Sequence, residues 1–294
     1  MGEGFTLINV GDLSKPATAL VEKIGEALGG AVRPWQIRRV AAAEADATKI
    51  HALAQIEVDA LRQRAASRVA AEQVKHQANI EAVTAKAIPQ LNEAADPKSI
   101  DNDWLASFFD KCRLVSDEEM QSLWSRVLAG EANVPGKYSR RVLSLLADID
   151  KGFANAFTQL CCFCFRFGTT ELLPLVYNEE DTIYANNGVS FGVLAELESL
   201  GLVRFDSLAG FERTGLGKEG NIFYFGTPVW IGFAAERDNR MKLGRVLLTN
   251  AGSQLAPICG ASPRAGFVEY VRQKWISHGY RTNPVVDASA SAGS

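Results

Sequence analysis

The sequence predicts a mostly α chain, α+β overall, on three observations. Residues 35–88 hold neither Pro nor Gly and are rich in Ala, Glu, Gln, Arg and Lys, which are strong helix formers. Residues 100–149 place apolar side chains at helical spacing between recognisable caps. Beyond residue 150, helical patterns alternate with short apolar runs of strand length. These signals divide the chain into an amphipathic preface at 1–33, a long helix at 34–96 and a central three-helix block at 97–150. An α+β module at 151–280 and a small polar tail at 281–294, expected to be disordered, complete it.

The preface opens with Ser14 as N-cap and Pro16 in the first turn. Leu20, Val21, Ile24, Leu28 and Val32 follow at helical spacing, and Gly25 and Gly29 form a G-x-x-x-G pair on that stripe. The expected form is a short soluble helix with glycines for close packing. Its amphipathic pattern leaves a second reading open, a peripheral membrane contact. Met1-Gly2 with Thr6 fits a loose myristoylation pattern.

Pro34 ends that element. Fifty-odd helical residues after it would extend about 80 Å. Ile50, Leu53, Ile56, Leu61, Val69, Val74, Ile80 and Val83 form a thin apolar seam, which suits helix pairing better than a globular core. A homo-oligomer is the expected partner state. Arg38, Arg39, Arg62, Arg64 and Arg68 are offset by Glu44, Asp46, Glu57, Asp59 and Glu72, so they read as a solvated face. Pro89 and the run Ala94-Ala95-Asp96-Pro97 mark a hinge.

In the central block, Trp104, Phe108 and Cys112 fall four apart on the first helix. The second helix carries a capping box from Ser116 to Glu119, a staple of Val115 with Met120, and Gly130 as its stop. Its buried face is Met120, Leu123, Trp124, Val127 and Leu128. The acids Asp117, Glu118 and Glu119 serve the helix N-terminus rather than catalysis. After a Pro135-Gly136 turn, a third helix starts near Ser139 and buries Val142, Leu145, Leu146 and Ile149. Trp104, Trp124, Lys137, Arg140 and Arg141, with Gly25 and Gly29, are the interaction candidates.

The segments DWLASFFDKCRLVSDEEMQSLWSRVLAGE at 103–131 and PGKYSRR at 135–141 resemble the bacterial family catalogued as domain of unknown function 2806. The preface LSKPATALVEKIGEALGGAVRPWQIRRVAAAEA at 13–45 is similar to that family and to the N-terminus of alpha-type abortive-infection proteins. The resemblance implies a bacterial accessory protein in antiviral defence or abortive infection. It carries over no catalytic residues.

In the C-terminal module, Phe153, Phe157, Leu160, Cys161 and Cys164 recur at helical spacing. Cys161 and Cys164 form a single C-x-x-C. With His51, His76 and His278 scattered and Cys259 distant in sequence, small buried thiols are expected rather than a zinc site. Ser190 caps a helix bearing Leu194, Leu197 and Leu200, stopped by Gly201. Strands are expected at 202–205, 222–225 and 229–233. RVLLTNAGSQL at 245–255 then reads as strand, Thr249 cap and helix, and a last helix runs from about Gly266 to Trp275. This helix–three strands–helix order resembles winged-helix domains. No Lys or Arg lies between Arg166 and Arg204, where Glu171, Glu179, Glu180, Asp181, Glu196 and Glu198 gather. Such a face repels phosphates, so protein interaction is expected and a nucleic-acid regulator is the alternative. Lys137, Arg140 and Arg141, and Arg237, Arg240, Lys242 and Arg245, are the basic groups that would serve that alternative.

Composition agrees with a folded, soluble chain. Its 294 residues carry a net charge of −3, with 47% hydrophobic and 22% charged residues. The balance argues against a dedicated nucleic-acid binder. No apolar run spans a membrane, no secretory signal is expected, and five cysteines without a disulfide pattern indicate a reducing cytoplasm. Walker, H-E-x-x-H and G-x-S-x-G motifs are missing, so no catalytic residue, metal or cofactor is expected; an enzyme with an unfamiliar site is the second alternative. Gly210, Gly215, Gly217 and Gly220 read as a flexible loop, without the following helix that a phosphate cradle needs.

Overall fold

The computed structural model describes residues 13–27 and 53–283 and confirms a mostly α, α+β chain. It separates into two compact units, residues 1–147 and 148–294. Gly29, residues 34–52 of the expected long helix and most of the tail lie outside the described residues.

In the first unit, α1 spans Lys15–Ala27 and buries Ala17, Leu20, Ile24 and Gly25. Ser14 accepts from the Ala17 amide, as its capping role requires. Helix α2 spans Leu53–Ala87, followed by 3-10 turns at Ile88–Gln90 and Pro97–Ser99. The expected hinge between these turns is tied down. Asn92 N donates to Asn133 Oδ1 at 2.9 Å, and Asn133 Nδ2 donates to the Gln90 carbonyl at 3.0 Å. Asp96 N donates to the Ala132 carbonyl at 2.9 Å, and Pro97 is buried.

Helix α3, Asn102–Cys112, is capped by Asp101, and α4 spans Glu118–Asn133. Two expectations for α4 are corrected. Its cap is Asp117, not Ser116, because the Asp117 carboxylate accepts from both Glu119 N and Met120 N at 3.0 Å. Gly130 does not stop it. The helix runs on to Asn133, and the Tyr138 ring lies 2.8 Å from where a Cβ of residue 130 would stand. Helix α5, Arg140–Asp148, buries Val142, Leu143, Leu145 and Leu146.

The turn joining α4 to α5 hangs on one buried acid. Glu131 Oε1 accepts from Gly136 N at 2.6 Å and Oε2 from Tyr138 N at 2.8 Å. Burial pushes this carboxyl above its ordinary range, against the amides of Tyr138, Gly136 and Lys137 and the charge of Lys137. Glu131→Ala removes both acceptors and leaves the amide of buried Tyr138 unpaired. A loss of about 2 kcal/mol is expected in urea unfolding at neutral pH, and a loss under about 0.5 kcal/mol would show that the turn stands without it.

In the second unit, α6 spans Lys151–Cys161 and is capped by Asp150. The helical spacing carried the sequence reading too far here. Cys162 closes the helix, and Cys164 opens strand β1, Cys164–Phe167. Strand β2 follows at Glu171–Pro174, then α7 at Thr182–Ala185 and α8 at Phe191–Ser199, the latter capped by Ser190. Six strands, two more than the sequence marked, separate α8 from the next helix. They are β3 Val203–Phe205, β4 Phe211–Leu216, β5 Glu219–Tyr224, β6 Thr227–Gly232, β7 Asn239–Gly244 and β8 Val246–Leu248. Their pairs are nested: β3 with β8, β4 with β7 and β5 with β6. The result is one long antiparallel ribbon that places its tip in a sheet ordered β2-β1-β5-β6-β9, where β9 is Arg281–Thr282. Gly210, Gly215 and Gly220 therefore belong to this ribbon rather than to a free loop.

Helix α9, Asn250–Leu255, is capped by Thr249, whose hydroxyl accepts from Gly252 N at 3.1 Å. Helix α10 spans Phe267–Ser277. Phe165, Tyr224, Phe267 and Trp275 make an aromatic core between sheet and helix, with the Phe267 ring tilted against each of the first two rings within 6 Å.

Candidate functional site

The long helix is two structures end to end. Its C-terminal part buries Asn79, Val83, Thr84 and Ala87 on one face and packs against α4. Polar side chains fix the register. Asn79 Nδ2 donates to the Arg113 carbonyl at 2.7 Å, Gln121 Nε2 to the Val115 carbonyl at 3.1 Å, and Lys86 Nζ to the Glu118 carbonyl at 3.1 Å. The preceding part is bare. Every residue from Leu61 to Lys75 is exposed. At 1.5 Å per residue this arm is about 22 Å long. Leu61 is 60% exposed, Val69 48% and Val74 66%. With about 100° per residue, Leu61 and Val69 stand roughly 80° apart and Val74 lies on another side. The apolar residues of the expected seam thus spread around the arm instead of forming one stripe. Intrahelical pairs, Asp59 with Arg62 and Arg68 with Glu72, lie at 3.6 Å in solvent and add only a few tenths of a kcal/mol.

The residues singled out from sequence do not converge. Gly25 is buried on α1, whose apolar face is covered by α3 and the Pro97–Ser99 turn. Leu20 and Ile24 of the stripe considered for membrane contact therefore face protein, while Leu28 and Val32 lie outside the described residues. Trp104 and Trp124 lie in the core. Trp104 donates from Nε1 to the Tyr138 carbonyl at 2.7 Å, and Trp124 is fully buried with its ring 5.2 Å from that of Phe108. Arg140 pairs with Asp103 at 3.1 Å and Asp101 at 3.4 Å, fastening α5 to the start of α3. Lys137 lies over the Tyr138 ring, and Arg141 is exposed. No helix among the described residues is long and apolar enough to cross a membrane.

A family model described as Protein of unknown function (DUF2806) matches residues 63–272, from the bare arm through both capped central helices and into α10. The chain belongs to DUF2806. No curated protein and no solved structure matches it.

In this DUF2806 chain the acidic stretch of the second unit is largely engaged. Glu171 pairs with Arg213 and Glu179 with Arg245 at 2.7 Å, the latter with Glu179 buried. Glu198 accepts from the Phe205 amide at 2.8 Å. Asp181 accepts from Tyr270 at 2.6 Å and pairs with Lys274 at 2.9 Å. Burial opposes the charge of Asp181, and those two partners overcome it, holding the carboxyl below its ordinary value. The face is thus less acidic than its sequence, and two of its acids hold ribbon arginines in place.

Tyr177, Tyr184, Tyr270 and Trp275 surround this pair, with Trp275 Nε1 donating to Tyr177 Oη at 2.8 Å. Burial drives all three phenols far up, so they act as hydrogen-bond donors and acceptors and not as bases. Burial, with the charges of Lys242 and Lys274, pushes His278 down. The cluster fastens α10 to the segment before α7 and presents no nucleophile–base pair among the described residues. Three or more His, Cys, Asp or Glu side chains placed to hold a metal ion are not found among them either. Sequence reasoning missed this cluster because its members come from segments roughly 90 residues apart.

Proposed function

We propose that this chain is a non-enzymatic accessory protein of bacteria that works by self-assembly and partner binding in antiviral defence or abortive infection. The bare arm of α2 carries the reading. A helix that buries no face gains nothing from tertiary packing, and helical propensity alone is marginal at this length. Its three exposed apolar residues point in different directions, so more than one neighbouring helix is needed to cover them. A bundle of arms from several copies meets that need. The defence context rests on the resemblance of residues 13–45 to alpha-type abortive-infection proteins. The ion pairs that engage Arg140, Arg213 and Arg245 weigh against a nucleic-acid regulator.

Light scattering on the purified chain at micromolar concentration is expected to give a mass of several protomers. Leu61→Glu with Val69→Glu is expected to return it to monomer with unit 1 still folded. A monomeric mass for the unaltered chain overturns assembly. Cells carrying the gene are expected to resist a subset of phages and to lose that resistance with the same double substitution. Equal plating on a broad phage panel with and without the gene removes the defence reading.

A further inference from the structure

Three of the five cysteines meet at one place. Helix α6 ends at Cys161, and the chain turns through Cys162 and Phe163 into β1, whose first residue is Cys164. The 3-10 turn Ala256–Ile258 packs against α6. Thr158 Oγ1 donates to the Cys259 carbonyl at 3.0 Å, which seats Cys259 one helical turn before the end of α6. The Cys161 thiol thereby comes beside those of Cys164 and Cys259, and the Cys259 thiol donates to the Ala256 carbonyl at 3.1 Å. Cys162 is engaged elsewhere, donating to the Thr158 carbonyl at 3.2 Å.

The three thiols differ in access. Cys161 and Cys164 are buried, whereas Cys259 is partly exposed. Beside them lies a recess of about 260 Å³ lined by Cys161, Cys164, Arg166, Phe223, Phe225 and Pro257. Arg166, whose guanidinium lies 4.3 Å from the Phe223 ring centre, brings positive charge to that recess. The hydrogen bond from Cys161 pulls the Cys259 thiol below its ordinary value against the opposing effect of burial, and the Ala261 amide adds to the pull. Burial pushes Cys161 the other way. A partly exposed thiol beside a buried one is the arrangement of an attacked thiol and its resolving partner.

We propose that this cluster is an oxidant-modified site, in which a peroxide attacks at Cys259 and Cys161 closes a disulfide to it. The Cys259 thiolate takes one oxygen from hydrogen peroxide, releasing hydroxide and leaving a sulfenic acid. The Cys161 sulfur then attacks the Cys259 sulfur, and the sulfenic hydroxyl leaves with the Cys161 proton as water. Two thiols are oxidised by two electrons and one peroxide is reduced. The bridge ties the end of α6 to the turn that leads into α10. A reducing compartment keeps it open until oxidant arrives.

The test uses the full chain, reduced, exposed to a few equivalents of hydrogen peroxide, then alkylated and digested with trypsin. Cys161, Cys162 and Cys164 fall in one peptide, residues 152–166, and Cys259 in another, residues 246–264. A linked pair of these peptides, with fragmentation placing the bridge on Cys161, and a loss of two hydrogen masses from the intact chain are expected. Cys259→Ser is expected to abolish the bridge. Cys161→Ser is expected to leave a sulfenic acid on Cys259 that dimedone labels. The wild-type peptide map decides even if a variant misfolds. Five free thiols after peroxide, or a bridge that omits Cys259, overturns the proposal.

Discussion

Replacing Gly244 with alanine is expected to lower the melting temperature of residues 148–294 by roughly 10 °C, from a loss of about 3 kcal/mol or more. Two costs act at once. Gly244 ends β7 with φ +99°, where side chains are strained. A Cβ there would stand 2.3 Å from the Val176 carbonyl oxygen and 2.6 Å from its carbon. The obstacle is backbone and has no room to retreat. Arg245 N donates to that same oxygen at 2.7 Å, and the Arg245 side chain holds Glu179 at 2.7 Å and Asn178 at 3.2 Å. This contact seats the returning arm of the ribbon against the segment after β2. Gly226 is the control, since it shares the positive φ (+88°) but a Cβ there meets nothing within 4 Å. Calorimetry on both variants separates strain from collision. A Gly244→Ala transition within about 2 °C of wild type would mean that the ribbon shifts freely, contrary to this geometry.

What the sequence disclosed divides by the range of the physics. Caps are local, and Ser14, Ser190 and Thr249 sit where the pattern put them. The slip from Ser116 to Asp117 is one residue between two good capping side chains, decided by which reached two amides. Strands β4 and β7 were illegible. FERTGL and NRMKLG carry few apolar residues, and each is a strand only because the other lies opposite it. Gly130 read as a stop because sequence does not show the Tyr138 ring that fills the space of its missing Cβ. Cys164 fitted helical spacing with Phe157, Leu160 and Cys161, yet the helix had already closed at Cys162. Of the thiol cluster only the C-x-x-C was visible, because Cys259 joins it through the packing of a late turn on α6. The bare arm is the reverse case. Sequence marked a long helix with few apolar residues, and the structure then showed which half is anchored.

Trp124→Ala is expected to cost the first unit about 4 kcal/mol, more than any surface change in that unit. The side chain is fully buried on α4 and its ring meets Phe108 edge-on at 5.2 Å. Phe108 in turn stacks on Trp104 at 5.3 Å and meets Phe109 at 5.1 Å. Removing the indole therefore strips one side of Phe108, the ring at the centre of this aromatic array. Trp104 cannot swing in, because its Nε1 is held by the Tyr138 carbonyl at 2.7 Å. The cavity stays open and its volume adds to the lost burial. Trp124→Phe is the informative companion. The indole Nε1 has no hydrogen-bond partner, so exchanging it for a smaller ring removes a buried polar group whose desolvation weakens the fold. That gain offsets part of the lost volume, and a cost near 1–2 kcal/mol is expected, well under half that of alanine. Urea unfolding followed by far-UV circular dichroism measures both. Equal losses for Phe and Ala would place the importance of Trp124 in its indole nitrogen rather than in packing, and would require a polar partner that the buried position does not provide.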